Sequence, residues 1–201
     1  MRNAMLMVLV AVAVAAGAAP AGAQVLGGPA LPAGSTRELS FSITQPEIQS
    51  HSSSGAGMVG SYRRTGRVNL SARLAYIGNL SGGTYAEAGS FGVLPVPRIG
   101  GVDLGWTAGL GFDTGNGDGL YVPVGLNASR VFSVRGAQVT PFAHGRVAVA
   151  SIDPQQNQNG RLAAAGELGL EVGAGTRWGI RAGIGNAHNQ TSLVMGFAYR
   201  R

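Results

Sequence analysis

From residue 37 onward, apolar residues recur at every second position in segments of roughly eight to fourteen residues, and no sustained 3.6-residue period appears. This pattern predicts an all-β chain whose strands each have one apolar face. In the clearest segment, six apolar residues from Val102 to Phe112 alternate with Asp103, Thr107, Asp113 and three glycines. A strand of this length spans a bilayer when tilted, whereas strands of soluble proteins are about half as long.

The alternation predicts ten strands, with eight as the alternative if the two weaker segments are loops. The weaker segments are 56–63, which is short, and 84–94, whose phase changes around Ala88 and Gly89 and indicates a β-bulge. The predicted strands lie near 37–45, 56–63, 67–76, 84–94, 101–113, 119–132, 138–151, 162–172, 177–185 and 191–200.

Longer and shorter connections alternate along the chain. The longer, polar connections are 46–55, 78–83, 114–118, 152–161 and 186–190, and the tighter ones are 64–66, 95–100, 133–137 and 173–176. Short turns at one rim and long loops at the other are typical of membrane barrels. We therefore predict a transmembrane antiparallel up-and-down β-barrel, with an even strand number and both termini on the periplasmic side.

The N-terminus has the three parts of a signal peptide. Arg2 precedes an apolar stretch over 4–16, and Ala21-Gly22-Ala23 provides small residues for cleavage. We expect cleavage near Ala23, a flexible Gly- and Pro-rich leader over 24–36, and a barrel over 37–201. The expected location is the outer membrane of a Gram-negative-type bacterium.

Composition narrows the function classes. The 201 residues include 34 glycines and no cysteine, and only 12% are charged. The absence of cysteine excludes disulfides, thiolate metal sites and cysteine nucleophiles. The formal net charge is +6 and all fifteen basic residues are arginine, but they are spread along the chain, so nucleic-acid binding is not expected. We predict no cofactor and no metal.

The arginines concentrate at the expected periplasmic rim. This set is Arg37, Arg63, Arg64, Arg67, Arg98, Arg130, Arg135, Arg177, Arg200 and Arg201, whereas Glu47, Asp113, Asp118 and Asp153 lie toward the outer rim. A ring of arginine facing the periplasm can pair with anionic phospholipid headgroups. The alternative is that turns simply tolerate charge.

The polar faces of the strands carry a second set of charges, which must be paired or hydrated inside a narrow barrel. We predict an interior polar network made of Arg73, Asp103, His144, Arg146, Glu167, Glu171 and Arg181. Such a network forms either a structural plug or the lining of a thin water-filled path.

Two other hypotheses belong to different function classes. A lipid A- or peptide-modifying hydrolase needs Ser151, His144 and Glu167 within hydrogen-bond reach of one another. A soluble periplasmic lipocalin-like barrel needs apolar residues that point inward, toward an apolar ligand. We predict no catalytic residue and do not expect an enzyme.

The last strand carries Leu193, Met195, Phe197 and Tyr199 on one face. Together with the signal peptide and the alternating strands, it resembles the small bacterial outer-membrane β-barrel proteins, the group that includes the OmpA-like and OmpX-like barrels. The resemblance implies that these four residues form the signal for the barrel-assembly machinery, although Arg200 and Arg201 extend beyond its usual aromatic end.

Aromatic residues and loops complete the sequence-based picture. We predict an aromatic girdle with Tyr62, Trp178 and Tyr199 near the periplasmic rim and Tyr76, Phe112 and Tyr121 near the outer rim. The expected partners are outer-membrane lipids, the assembly machinery and a surface ligand of the outer loops. The expected role is structural, surface-interacting or a minor transport role.

Overall fold

The computed structural model describes residues 28–29, 31, 35–46, 56–77, 83–114, 119–152, 161–175, 177–187 and 190–201. The predicted signal peptide, 1–23, and most of the predicted longer connections lie outside these residues. The strands are β1 (Arg37–Pro46), β2 (Gly57–Arg64), β3 (Leu70–Ile77), β4 (Gly83–Val93), β5 (Asp103–Thr114), β6 (Gly119–Ser129), β7 (Phe132–Val134), β8 (Ala137–Ile152), β9 (Arg161–Ala174), β10 (Trp178–Ala187) and β11 (Gln190–Arg200). The described part of the chain contains no helix long and apolar enough to cross a membrane.

The strands form one closed antiparallel sheet. Strands adjacent in the chain pair with each other, except β6 and β7, which both pair with β8, and β1 also pairs with β11. Because β7 continues the line of β6, the wall has ten strands. The prediction of an all-β, ten-stranded up-and-down barrel is confirmed, and the eight-stranded alternative is excluded.

A proline explains why β6 and β7 are separate. Both pair with β8 in one register, with Ser129 opposite Phe142 and Phe132 opposite Val139. This register sets Pro141 opposite Arg130. Pro141 has no N–H to donate, so only the Arg130 N–H bonds across, to the Pro141 carbonyl at 3.2 Å.

The registers also determine the width of the barrel. A path that steps from each residue to its partner on the next strand, once around the ten pairings, returns to β1 twelve residues from its starting point. This offset of twelve is the shear number. Ten strands with this shear tilt by about 40° and enclose a wall of radius about 10 Å. Side chains that point inward therefore face one another across a narrow lumen.

The distribution of apolar and polar side chains between the two faces of the wall is the reverse of that in a soluble barrel. On β1, Leu39 and Ile43 are 58% and 57% exposed on the outside, whereas Glu38 and Thr44 are only 1% and 2% exposed inside. The same division holds on the other strands, whose outer faces carry exposed Leu, Val, Ile and aromatic side chains. The lipocalin-like hypothesis is therefore wrong, and the outer face is suited to lipid.

Strand β4 corrects the prediction of a bulge. It pairs with β3 and β5 in unbroken register, and its inward side chains are Tyr85, Glu87 and Phe91. The apolar positions seemed to change phase because two aromatic residues face the lumen while small residues face outward. Tyr121, expected in the outer girdle, is also buried inside, with its ring centroid 5.2 Å from that of Tyr85.

Glycines make room for the large side chains of the lumen. A Cβ on Gly111 would overlap the Tyr121 ring, and one on Gly169 would overlap the Phe142 ring. The high glycine content is therefore partly a packing requirement, since residues opposite bulky groups in a narrow barrel must be small.

Gly89 provides a test of this close packing. We expect Gly89→Ala to destabilise the barrel by about 1–3 kcal/mol, the usual cost of overpacking, because the new Cβ would overlap the backbone carbonyl oxygen of Ala108. Guanidinium unfolding of the refolded barrel in detergent measures the loss. The control is Gly60→Ala, whose Cβ would have only the Leu74 carbonyl within reach, at 4.0 Å. Equal effects of the two substitutions would contradict this account.

Candidate functional site: the charged lumen

Two groups of charged side chains point into the lumen. The first, the mouth cluster, lies toward the barrel end that holds the chain termini. Its members are Glu38, Arg63, Glu171, Arg181 and Arg200, all 5% exposed or less. It contains three positive and two negative charges on strands β1, β2, β9, β10 and β11.

Glu38 is the centre of the mouth cluster. Its Oε1 accepts hydrogen bonds from Arg63 Nη2 at 2.5 Å and Nε at 3.0 Å. Its Oε2 accepts from Arg181 Nη2 at 2.6 Å and Arg200 Nε at 2.8 Å. A single carboxylate thus joins arginines from three strands, one of which, β10, is not a neighbour of β1.

Glu171 completes the mouth cluster. Its Oε2 accepts from Arg181 Nε at 2.6 Å and from Arg200 Nη2 at 2.5 Å. Both arginines therefore bridge the two carboxylates. This repays part of the desolvation cost of burying five charges, because each charge has a hydrogen-bonded partner of opposite sign.

The chain segment before β1 contributes to this end of the lumen. Gly28 and Pro29 are buried, and the Pro29 carbonyl accepts a hydrogen bond from Arg63 Nη1 at 2.8 Å. Gly28 has a φ of 69° and lies against the Arg181 guanidinium. Both residues belong to the predicted leader, and they contact Arg63 and Arg181 of the mouth cluster.

The central cluster lies further along the barrel axis and consists of Arg73, Tyr85, Glu87, Tyr121 and Arg146. Arg146 Nη1 donates to Glu87 Oε2 at 3.1 Å, which joins β8 to β4 across the lumen. The Tyr85 hydroxyl donates to the same oxygen, and Arg73 Nη1 lies 3.7 Å from Glu87 Oε1. As in the mouth cluster, one carboxylate, here that of Glu87, accepts hydrogen bonds from more than one side chain.

An apolar layer adjoins the central cluster and shares Tyr85 and Tyr121 with it. Its members are Val59, Ala75, Tyr85, Tyr121, Ala148 and Ala165, which form one contact cluster. The two tyrosine rings stack, with an interplanar angle of 20°, and the Tyr121 hydroxyl donates to the Ala86 carbonyl at 3.2 Å. This layer extends from β2 around the wall to β9.

The structure distributes the predicted interior residues unevenly. Glu171 and Arg181 lie in the mouth cluster, and Arg73 and Arg146 lie in the central cluster. His144 and Glu167 are buried opposite each other on β8 and β9, and His144 Nε2 lies 3.4 Å from Thr107 Oγ1. Asp103 is a correction: it pairs with Arg98 at 2.7 Å near the rim, because it begins β5 rather than lying within it.

Four charged members of the clusters were missed as interior residues. Arg63 and Arg200 were predicted at the rim, but both side chains point inward. Strand parity identifies them, since Arg63 shares a face with Val59, and Arg200 shares one with the buried Ala198. Glu38 follows the same rule beside Ser40, whereas Glu87 was hidden by the misread phase of β4.

The hydrolase hypothesis lacks its geometry. Ser151 and His144 lie seven positions apart on β8, which is roughly 23 Å along an extended strand. The proposed nucleophile therefore cannot reach the proposed base. Among the described residues, no group of three or more His, Asp or Glu side chains is placed to hold a metal ion.

The predicted girdle and assembly residues are on the outer face. Tyr62 and Tyr199 both lie opposite Leu39, and Trp178 lies opposite Tyr199 with ring centroids 4.7 Å apart. Tyr76 is exposed near the opposite end of β3. Leu193, Met195 and Phe197 are exposed on β11, in line with Tyr199. Their roles as a girdle and as an assembly signal stay predictions.

Removing the charge of Glu38 tests the mouth cluster. We expect Glu38→Gln to lower the free energy of unfolding by about 3 kcal/mol, because Arg181 and Arg200 would then share only Glu171 and Arg63 would lose its carboxylate partner. The matched control is Asp103→Asn, whose partner Arg98 is 72% exposed, so that a loss of about 1 kcal/mol or less is expected. Denaturant titration followed by tryptophan fluorescence measures both. Similar losses would show that burial of the cluster does not matter.

No family model matches the chain, and no curated protein matches its sequence. Solved structures do match. The β domain of the Bordetella autotransporter BrkA superposes with a TM-score of 0.50 at 10% identity, over 83% of this chain and 100% of that chain. The translocator domain of the autotransporter NalP from Neisseria meningitidis has a TM-score of 0.46 at 15% identity, over 100% and 96%.

A third match is the KdgM porin, with a TM-score of 0.41 at 13% identity over 81% of this chain and 98% of that chain. Identities this low show the fold alone, and grouping with the OmpA-like or OmpX-like barrels stays a prediction. The lipid-compatible outer face, the closed ten-stranded wall and the likeness to BrkA lead to one conclusion: this chain has the fold of a bacterial outer-membrane β-barrel.

Proposed function

We propose that the protein is an integral outer-membrane barrel whose lumen does not conduct, and that it serves a structural or surface-interaction role. The observation that carries this proposal is the filled lumen. The mouth cluster lies toward one end of the barrel, the central cluster and the apolar layer share Tyr85 and Tyr121, and each group contains side chains from several strands.

The physical barrier has two parts. An ion that enters the mouth cluster must displace buried Arg–Glu pairs, each held by hydrogen bonds of 2.5–3.0 Å. At the central cluster it meets the apolar layer, where the Tyr85 and Tyr121 hydroxyls already bond to protein acceptors. An ion stripped of water there gains no replacement ligands, which makes passage costly. A transport role is therefore the less favoured one.

The surface-interaction role belongs to the other end of the barrel. In a wall of ten strands the start of β1 and the end of β11 lie at one end, and β1, β3, β5, β8 and β10, which the longer connections follow, end at the opposite one; we propose that this opposite end faces the exterior. The sequences of these connections are polar, such as Gln49-Ser50-His51-Ser52 and Gln155-Gln156-Asn157-Gln158. We propose that a surface ligand contacts these connections, since polar loops on a rigid scaffold are common binding surfaces.

Biogenesis is part of the same proposal. Strand β11 pairs with β1 and so closes the sheet. Its lipid-facing row of Leu193, Met195, Phe197 and Tyr199 is the segment that we propose the barrel-assembly machinery recognises, after export directed by the signal peptide.

Membrane insertion predicts a heat-dependent shift in electrophoresis. We expect the protein in the outer-membrane fraction to migrate differently in SDS with and without boiling, because a closed sheet of ten strands resists the detergent until it is heated. Recovery in the soluble periplasm, or a single mobility under both conditions, would contradict the membrane location.

The sealed lumen predicts the absence of channels. We expect the refolded protein to show no reproducible open state in planar bilayers, because the clusters and the apolar layer obstruct the path. A second preparation, carrying Tyr85→Ala, Tyr121→Ala and Arg146→Ala, removes the apolar stack and the link across the lumen, and should conduct measurably more. Folding of both samples is checked by the heat-dependent shift. Stable channels in the unsubstituted protein would overturn the non-conducting role.

A further inference from the structure

Three arginines lie side by side on the outer face of the rim that holds the termini. Arg37 on β1 lies directly opposite Arg64 on β2. On its other side Arg37 exchanges both backbone hydrogen bonds with Arg201, at 2.9 and 3.0 Å. All three side chains are exposed, and each shares a strand face with outward residues. We call Arg64, Arg37 and Arg201 the arginine row.

The arginine row has unbalanced charge. Like charges directly opposite each other destabilise a sheet. Among the described residues, none of the three has a carboxylate within ion-pair distance, since the ion pairs of this rim involve Arg63, Arg181, Arg200 and Arg98. Glu38, the carboxylate next to Arg37 in sequence, points into the lumen. The three exposed guanidinium groups are therefore available to an anion outside the barrel.

A second observation places this row at the membrane surface. Two positions along the same strands, Tyr62, Leu39 and Tyr199 lie opposite one another, and Trp178 extends the line on β10. Tyrosine and tryptophan collect at the level of lipid headgroups. The arginine row lies about 7 Å further from the membrane centre along the strands, beside the headgroups themselves.

We propose that the arginine row binds the phosphate of an anionic phospholipid in the periplasm-facing leaflet. Guanidinium groups bind phosphate oxygens through paired, charge-assisted hydrogen bonds, and a phosphate between neighbouring strands relieves the repulsion within the row. The acyl chains then lie along Leu39 and the aromatic residues below the row. The inference rests on the proposed membrane location.

Quenching of tryptophan fluorescence tests this site. Trp106→Phe leaves Trp178, beside the row, as the single reporter. The barrel is reconstituted in phosphatidylcholine vesicles with increasing brominated phosphatidylglycerol, or with brominated phosphatidylcholine as reference. We expect the anionic lipid to be preferred at Trp178 by about fivefold, the size of one arginine–headgroup interaction near a surface. Arg37→Gln, Arg64→Gln and Arg201→Gln together should remove the preference.

The matched control removes three arginines elsewhere on the same rim, through Arg98→Gln, Arg130→Gln and Arg135→Gln. This variant has the same net charge as the row variant and should keep the preference. An equal loss in both variants, or no preference in the unsubstituted row, would overturn the lipid site. Loss of the preference in excess inorganic phosphate would overturn the lipid as the occupant. Failure of both lipids to quench would instead contradict membrane insertion itself.

Discussion

Closure of the sheet is the constraint on which the rest of the structure depends. Hydrocarbon offers no hydrogen-bond partner to backbone N–H and C=O groups, so every strand that crosses it must be paired on both sides. The pairing of β1 with β11 removes the last edges, and β7 continues the wall past the point where Pro141 lacks a donor. Once ten strands close with a shear of twelve residues, strand tilt and lumen width are no longer free to vary.

The narrow lumen explains the unusual placement of charge and glycine. Carboxylates and guanidinium groups that point inward have little room for water, so Glu38, Glu171 and Glu87 each serve arginines from more than one strand. The same width leaves no space for a side chain opposite Tyr121 or Phe142, and glycine occupies those positions. The described inward side chains are thus packed closely against one another, which supports the proposed non-conducting role.

The two ends of the barrel have different chemistry. At the end with the termini, arginines divide between two faces: Arg63 and Arg200 point inward to Glu38, whereas Arg64 and Arg201, their neighbours in sequence, point outward. Adjacent residues on a strand must face opposite sides, so pairs of consecutive arginines supply both a buried network and a charged rim. We propose that the polar connections that follow β1, β3, β5, β8 and β10 make the contacts outside the cell.

The sequence by itself determined the all-β fold class and predicted ten strands, with eight as the alternative, and apolar faces directed outward, because these depend on alternation within single segments. The tertiary structure excluded the eight-stranded and the lipocalin-like alternatives. The sequence also placed Arg73, Arg146, Glu171 and Arg181 inside. Only the tertiary structure decided which charges meet: Glu38 contacts Arg200, 162 positions away, because β11 returns beside β1. It likewise decided which face of β4 points inward, because Tyr85 stacks on Tyr121 of β6 inside the lumen. The face of a strand on which a residue lies can be predicted from the local sequence. Which residues meet across the lumen depends on how the whole sheet closes.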